Sequence, residues 1–226
     1  MLQLSSRQAR NIHHMCPIEP GLAGHPDRLR WNARYADGAA PSFAPHPLAV
    51  RALAAGPPAG PVADLACGAS GTALAAAAGG RRVTAVDISE VALGMLAAEA
   101  RRRGLGHLIT LVHEDLAAWR PRPRSFALVL CTGFWDAALF PAAAEAVAPG
   151  GLLGWEAFTA RARRSRPGLD PAWCLARGEP ASLLPADFTL LNQSDVSNHE
   201  QRQMLARRRI PAARALKGSR LMPMPQ

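Results

Sequence analysis

The chain has 226 residues and a net charge of +9, carried almost wholly by arginine, since Lys217 is the single lysine. That length suits one domain with appendages and room for a full α/β core. No apolar run reaches the roughly 20 residues that a membrane helix needs, and residues 1–7 lack the apolar core of a secretory signal. Cys16, Cys67, Cys131 and Cys174 form no C-x-x-C pair, so neither a zinc site nor a disulfide framework is expected. Reduced thiols in a cytoplasmic protein are the economical reading. Residues 1–26 show no sustained periodicity and read as a flexible leader, whose His13, His14 and Cys16 are not expected to hold a metal. An amphipathic helix is predicted over 27–36, carrying Leu29, Trp31 and Tyr35 and closed by Gly38-Ala39-Ala40-Pro41. Pro47 opens a second helix to residue 55, ended by Gly56-Pro57-Pro58-Ala59-Gly60.

From Val62 onward strands and helices alternate, the pattern of a parallel sheet covered on both faces. Strands are expected over 62–66, 82–87, 109–113, 126–131 and 152–158, with helices over 70–78, 90–103 and 136–148 between them. Ser89 is a plausible N-cap, and Pro149-Gly150-Gly151 reads as the turn into the fifth strand. An Arg/Pro-rich loop over 159–171 follows, then a short helix over 179–184 and a hairpin of strands over 188–196 and 201–206. The basic tail lacks periodicity, so the expected division is leader 1–26, folded domain 27–210 and disordered tail 211–226.

The chemistry concentrates where the first strand ends. Asp64-Leu65-Ala66-Cys67-Gly68-Ala69-Ser70-Gly71 runs from an acid into a glycine turn, and Val83-Thr84-Ala85-Val86-Asp87 ends the next strand in a second acid. Gly68 and Gly71 let the backbone turn tightly and approach a ligand, while Asp87 can accept both hydroxyls of a ribose. The spacing G-x-x-G departs from the G-x-G-x-x-G of dinucleotide folds, and a carboxylate at Asp64 would repel a pyrophosphate. The same carboxylate suits an ammonium, so an adenosine ligand without pyrophosphate, S-adenosylmethionine (SAM), fits best. A P-loop is excluded because no lysine follows Gly71.

These segments, with His113-Glu114-Asp115-Leu116 and Val147-Ala148-Pro149-Gly150-Gly151, make residues 27–208 resemble a class I SAM-dependent methyltransferase. Trp31-Asn32-Ala33-Arg34-Tyr35 and Pro41-Ser42-Phe43 look like the tellurite-resistance and thiopurine S-methyltransferase-like branch, whose W-x-x-R-Y helix lies over the cofactor. The resemblance implies a Rossmann-like three-layer α/β sandwich with a seven-stranded, mostly parallel sheet, order 3-2-1-4-5-7-6, the last strand antiparallel. It also implies roles. Ala66, Cys67, Gly68 and Gly71 would hold the methionine half, with Asp64 attracting its ammonium. Asp87 would bind the ribose, Ile88 would pack on adenine, and Asp115 with the Leu116 amide would take the adenine edge. Cys131 would face the sulfonium, and Trp31, Arg34 and Tyr35 would form a lid. Plain structural duties remain open for each: Asp115 as a turn cap, Ile88 and Leu116 as core, and Cys131 as a small buried group.

Methyl transfer to a soft nucleophile needs alignment more than proton removal, and no convincing general base stands out. His46 is the best histidine candidate, and Asp136 after Phe134-Trp135 is either a pocket residue or a helix cap. The expected acceptor is a small molecule with a soft or anionic nucleophile, the arginines between 161 and 166 drawing in an anion. The arginine clusters carry no interleaved aromatics, so nucleic acid is not the expected partner, although the basic surface keeps it open. The alternatives are an RNA or protein methyltransferase using that surface, and a non-catalytic SAM-binding module.

Overall fold

A computed structural model describes residues 20–38 and 40–211. The rest of the expected leader, with His13, His14 and Cys16, and the tail from residue 212 lie outside the described residues. β1 (Val62–Leu65) is buried along its whole length, and β2 (Val83–Asp87) and β4 (Phe126–Thr132) pair with it in parallel on either side. β3 (Ile109–His113) extends the sheet beyond β2, and β5 (Val147–Thr159) extends it beyond β4. The hairpin of β7 (Phe188–Val196) and β8 (Gln201–Arg208) completes the order β3-β2-β1-β4-β5-β8-β7, with β8 antiparallel to both neighbours. The chain winds outward from β1 through β3, then returns to start β4 on β1's other side. That reversal opens a crevice at the carboxyl ends of β1 and β4.

The layers follow from side-chain alternation along the strands. α2 (Pro47–Ala54), α3 (Thr72–Ala78) and α4 (Glu90–Arg102) cover one face, packing Leu48, Leu74, Leu93 and Leu96 on Leu128 and Leu152. α5 (Leu139–Ala146) covers the other, where Trp135, Phe140 and Trp155 form a tilted and edge-on aromatic cluster with Leu153 and Met204. Each fully buried Leu or Phe of these two cores stabilises by about 1.5–3 kcal/mol. Much of the helix surface facing the sheet is alanine, which lets α3 and α4 approach closely with little side-chain entropy lost.

Four details differ from the sequence expectation. The sheet has eight strands among the described residues, because β6 (Cys174–Leu175) pairs with the far end of β5 as a two-residue addition to the seven. Pro149-Gly150-Gly151 does not separate two elements. The strand runs through it as an irregularity, with the register slipping opposite Phe126 and Leu128 and Gly150 at φ 76°. A Cβ on Gly151 would sit 2.8 Å from the Ala148 carbonyl oxygen and 2.9 Å from that of Ala127, so only glycine fits there. The third helix of the β-α alternation starts at Leu139, after a turn in which Asp136 Oδ1 accepts from the Ala138 amide at 2.7 Å. The short helix after residue 179 is one 3-10 turn, Ala181–Leu183.

The end of β8 is held by a buried arginine that periodicity could not reveal. Arg208 is 2% exposed and donates to Asp187 Oδ2 at 2.8 Å, Glu145 Oε2 at 2.7 Å and the Val147 carbonyl at 2.7 Å. It ties α5, β5 and the hairpin together, and its guanidinium also lies over Phe188. Arg208→Ala removes the donor shared by Asp187, Glu145 and the buried Val147 carbonyl, so a loss of about 2–3 kcal/mol is expected in urea unfolding. An unchanged midpoint would show that the hairpin is anchored elsewhere.

Candidate active site

Asp87 organises the crevice. Its Oδ2 accepts from the Gly68 amide at 2.7 Å and its Oδ1 from the Ser89 amide at 2.8 Å, so one carboxylate joins the turn after β1 to the start of α4. The turn needs unusual backbone geometry, with Ala66 at φ 48° and Gly68 at φ 54°. Cys67 spends its amide on the Val86 carbonyl at 3.1 Å, and its side chain is buried in the helix-covered core. Gly71 is glycine for a different reason from the one expected: a Cβ there would run into the Phe43 carbonyl and Ala44, so the gap admits the chain's own backbone.

Asp64 lies beneath this turn, 1% exposed, and its Oδ2 has no hydrogen-bond partner among the described residues. Burial, with the Asp87 charge adding to it, pushes its carboxyl up to about 7, partly opposed by the Ala73 amide. Burial raises Asp87 as well, against the amides of Ser89 and Gly68. Above the turn sits Tyr35 of α1 (Pro26–Asp37), whose hydroxyl would collide with a Cβ on Gly68. Burial and the Asp87 charge lift that phenol above its ordinary range.

The crevice widens into a cleft of about 740 Å³, within the range of small-molecule sites. Of the expected residues, Trp31, Tyr35, Ala66, Asp87, Ile88, Asp115 and Leu116 line it together. Asp64, Cys67, Gly68 and Gly71, in β1 and the turn that follows it, are not part of the lining, and two others are elsewhere. Arg34 is exposed, its guanidinium 5.8 Å from the Trp31 ring centre. Cys131 is fully buried in the α5-side core with its thiol towards the Phe134 carbonyl, and burial lifts its pKa well above the usual thiol range. Thr132, the next residue, meets the cleft instead.

Asp115 serves two ends at once. Its Oδ1 accepts from the Ala117 amide at 3.0 Å, a turn cap, while Oδ2 lies 3.6 Å from His25 Nε2 across the cleft. His25 was missed. It caps α1 by accepting the Asp27 amide on Nδ1 at 3.2 Å, and His46 caps α2 in the same way through Leu48. Proline at each first helical position was the available signal, since the residue before such a proline is the cap. His46 Nε2 faces Glu156 at 3.1 Å, so both ring nitrogens are engaged and His46 does not line the cleft. His113 spends Nε2 on the Ile88 carbonyl at 3.0 Å.

The far wall runs from Thr132 at the end of β4 to Ala138, together with Ala172 and Trp173. β5 fixes that wall: the Glu156 carbonyl accepts the Gly133 amide at 2.9 Å, and Trp155 Nε1 donates to the Phe134 carbonyl at 2.9 Å. The arginines between 161 and 166 do not line the cleft. Arg166 pairs with Glu200 at 2.8 Å and Arg163 donates to the Leu169 carbonyl at 3.2 Å. Helix α1 is moored instead by Arg28, which is 6% exposed and grips the Glu90 carboxylate, and by Asn32, which meets Ser89 Oγ at 2.7 Å.

Comparison with known proteins agrees with this geometry. Residues 62–151, from β1 into β5, match the family model of a methyltransferase domain. No curated protein matches the chain. Among solved structures, one from work on converting a disulfide bond into a thioacetal group during echinomycin biosynthesis is 21% identical at TM-score 0.63. It covers 82% of this chain and 94% of its own. TehB from Haemophilus influenzae is 16% identical at TM-score 0.58, over 74% of this chain and 64% of its own. The glycopeptide N-methyltransferase MtfA, solved with SAM, is 20% identical at TM-score 0.53, over 78% of this chain and 99% of its own. Residues 62–151 thus carry a methyltransferase domain, and the solved structures share its fold. The chain carries such a domain as an enzyme, and SAM is its cofactor.

The site residues fit that cofactor. Asp64 offers an orphaned acceptor suited to an ammonium, and Asp87 is held ready in the cleft with a free edge for hydroxyls. In the ligand-free protein the raised Asp64 has a consequence for stability. Between about pH 4, the unfolded value, and about 7, the folded form keeps a proton that the unfolded form has lost. Stability therefore falls as pH rises through that window and levels off above it. Asp64→Asn should flatten the fall in urea midpoints measured across the window, leaving the contributions of the other raised carboxyls, Asp87 and Glu114. An unchanged slope would mean that Asp64 does not hold the proton.

Proposed function

We propose that the enzyme methylates a small-molecule acceptor whose nucleophile is soft enough to react without a strong base. Bound in the cleft, SAM supplies a methyl carbon already activated by its sulfonium. The residues around it have three tasks. Asp64 and Asp87 hold the two ends of the cofactor, Tyr35 and Trp31 cover it against water, and the segment from Thr132 to Asp136 presents the acceptor. The observation that carries the reading is the state of the histidines: His46 and His113 are already engaged by the protein, and His25 caps a helix. The acceptor must therefore bring a lone pair that is available near neutral pH.

Within the class, Trp31, Arg34 and Tyr35 on the helix over the cofactor support a place near the tellurite-resistance and thiopurine branch, and TehB is among the structural neighbours. The anionic part of the expected acceptor finds no such support, since no arginine or lysine among the described residues lines the cleft. The same lining favours a small molecule over RNA.

Calorimetric titration with SAM and S-adenosylhomocysteine, followed by a mass-spectrometric screen of thiol, chalcogenide and amine acceptors, tests the proposal. Asp87→Ala should weaken SAM on the order of a hundredfold, because two hydroxyl partners and the Gly68 anchor are lost together. Retained affinity in that variant would refute the assigned cofactor pose. Turnover confined to RNA or protein would refute the acceptor class.

A further inference from the structure

The part of the cleft that the cofactor residues do not use has a composition opposite to that of the chain. The protein carries 26 Lys and Arg against 17 Asp and Glu, yet the cleft lining contains four aspartates and, among the described residues, no lysine or arginine. Asp87 and Asp115 sit on the cofactor side. Asp27 and Asp136 remain, facing the space between Trp31, Phe134 and Trp173. Asp27 is neutralised by Arg30 at 3.0 Å, whose guanidinium rests 4.3 Å from the Trp173 ring centre and 5.4 Å from that of Trp31. These rings thus already serve as platforms for a cation. Asp136 is half-buried and uses only Oδ1 internally, on the Ala138 amide, which leaves Oδ2 for a ligand.

From this cavity we infer that the acceptor carries, apart from its nucleophilic atom, a basic amine and an apolar or aromatic group, with the ammonium docked at Asp136 and the flat portion among Trp31, Phe134 and Trp173. The inference rests on the small-molecule methyltransferase reading and sharpens it by giving the charge of the acceptor. A carboxylate or phosphate would meet the Asp136 carboxylate while the nearby Arg30 guanidinium is already paired with Asp27, and would be repelled. An ammonium gains a carboxylate partner and aromatic faces in a partly dry site, where each such contact is stronger than in open water.

The test is calorimetry on the full chain saturated with S-adenosylhomocysteine, using three probes of similar shape: phenethylamine, hydrocinnamate and hydrocinnamamide. Phenethylamine should bind at least about tenfold more tightly than hydrocinnamate, with the neutral amide between them. Asp136→Asn keeps the Oδ1 acceptor for Ala138 and removes the charge, so the gap should close in that variant while its thermal melt stays in place. The wild-type comparison stands whether or not the variant folds. Equal affinities, no binding of any probe, or a preference for hydrocinnamate overturns the inference, and a gap that survives Asp136→Asn overturns the assignment to that residue. Failure of S-adenosylhomocysteine itself to bind would instead defeat the reading on which the inference rests.

Discussion

A single carboxylate, that of Asp87, receives the amides of Gly68 and Ser89 and so joins three elements, β1, β2 and α4, at the edge of the cleft. These charge-assisted bonds are short and buried, and each is stronger than a neutral one. They fix the turn after β1 in the left-handed conformations of Ala66 and Gly68 before any ligand arrives. The arrangement spends lone pairs of Asp87 on the protein and still leaves the residue in the cleft lining. Preorganisation of this kind reduces the ordering that binding would otherwise demand.

The same corner also sets the position of the covering helix. Ser89 caps α4 through Oγ, accepting from the Ala92 amide at 3.1 Å, and that hydroxyl also meets Asn32 of α1. One turn away, Arg28 reaches from α1 to Glu90 at the first position of α4. Trp31 and Tyr35 lie between and beyond these moorings at helical spacing, which directs them towards the cleft. α1 is therefore registered against the Asp87 corner through Ser89 and Glu90. Of the partners in these contacts Glu90 is 32% exposed, while Ser89 and Arg28 are buried.

Much of this was legible in the sequence. The run of buried strands, the glycine turn and the acid ending β2 are local signals, and the strands they predict agree closely with those formed. Seven expected residues meet in the cleft: Ala66, Asp87, Ile88, Asp115 and Leu116 stand at or just past a strand end, and Trp31 and Tyr35 belong to the W-x-x-R-Y helix. The misread positions needed non-local information. Gly71 looked like a ligand-approach glycine, but the requirement comes from Phe43, far away in sequence. Cys131 and Thr132 differ by one step in a strand of period two, so an uncertain register exchanges core for cleft. Trp173 reaches the cleft only because β6 adds to the end of β5, and a two-residue strand carries no periodicity to detect.

A buried acid with an orphaned oxygen under the glycine turn is costly unless a cation completes it, so the central claim concerns the ligand that does so. SAM titrations in buffers of different ionisation enthalpy, at about pH 6, measure the protons exchanged on binding. The account predicts net proton release, close to one per site, because the incoming ammonium ionises Asp64. Binding with no proton exchange, or with uptake, would contradict it.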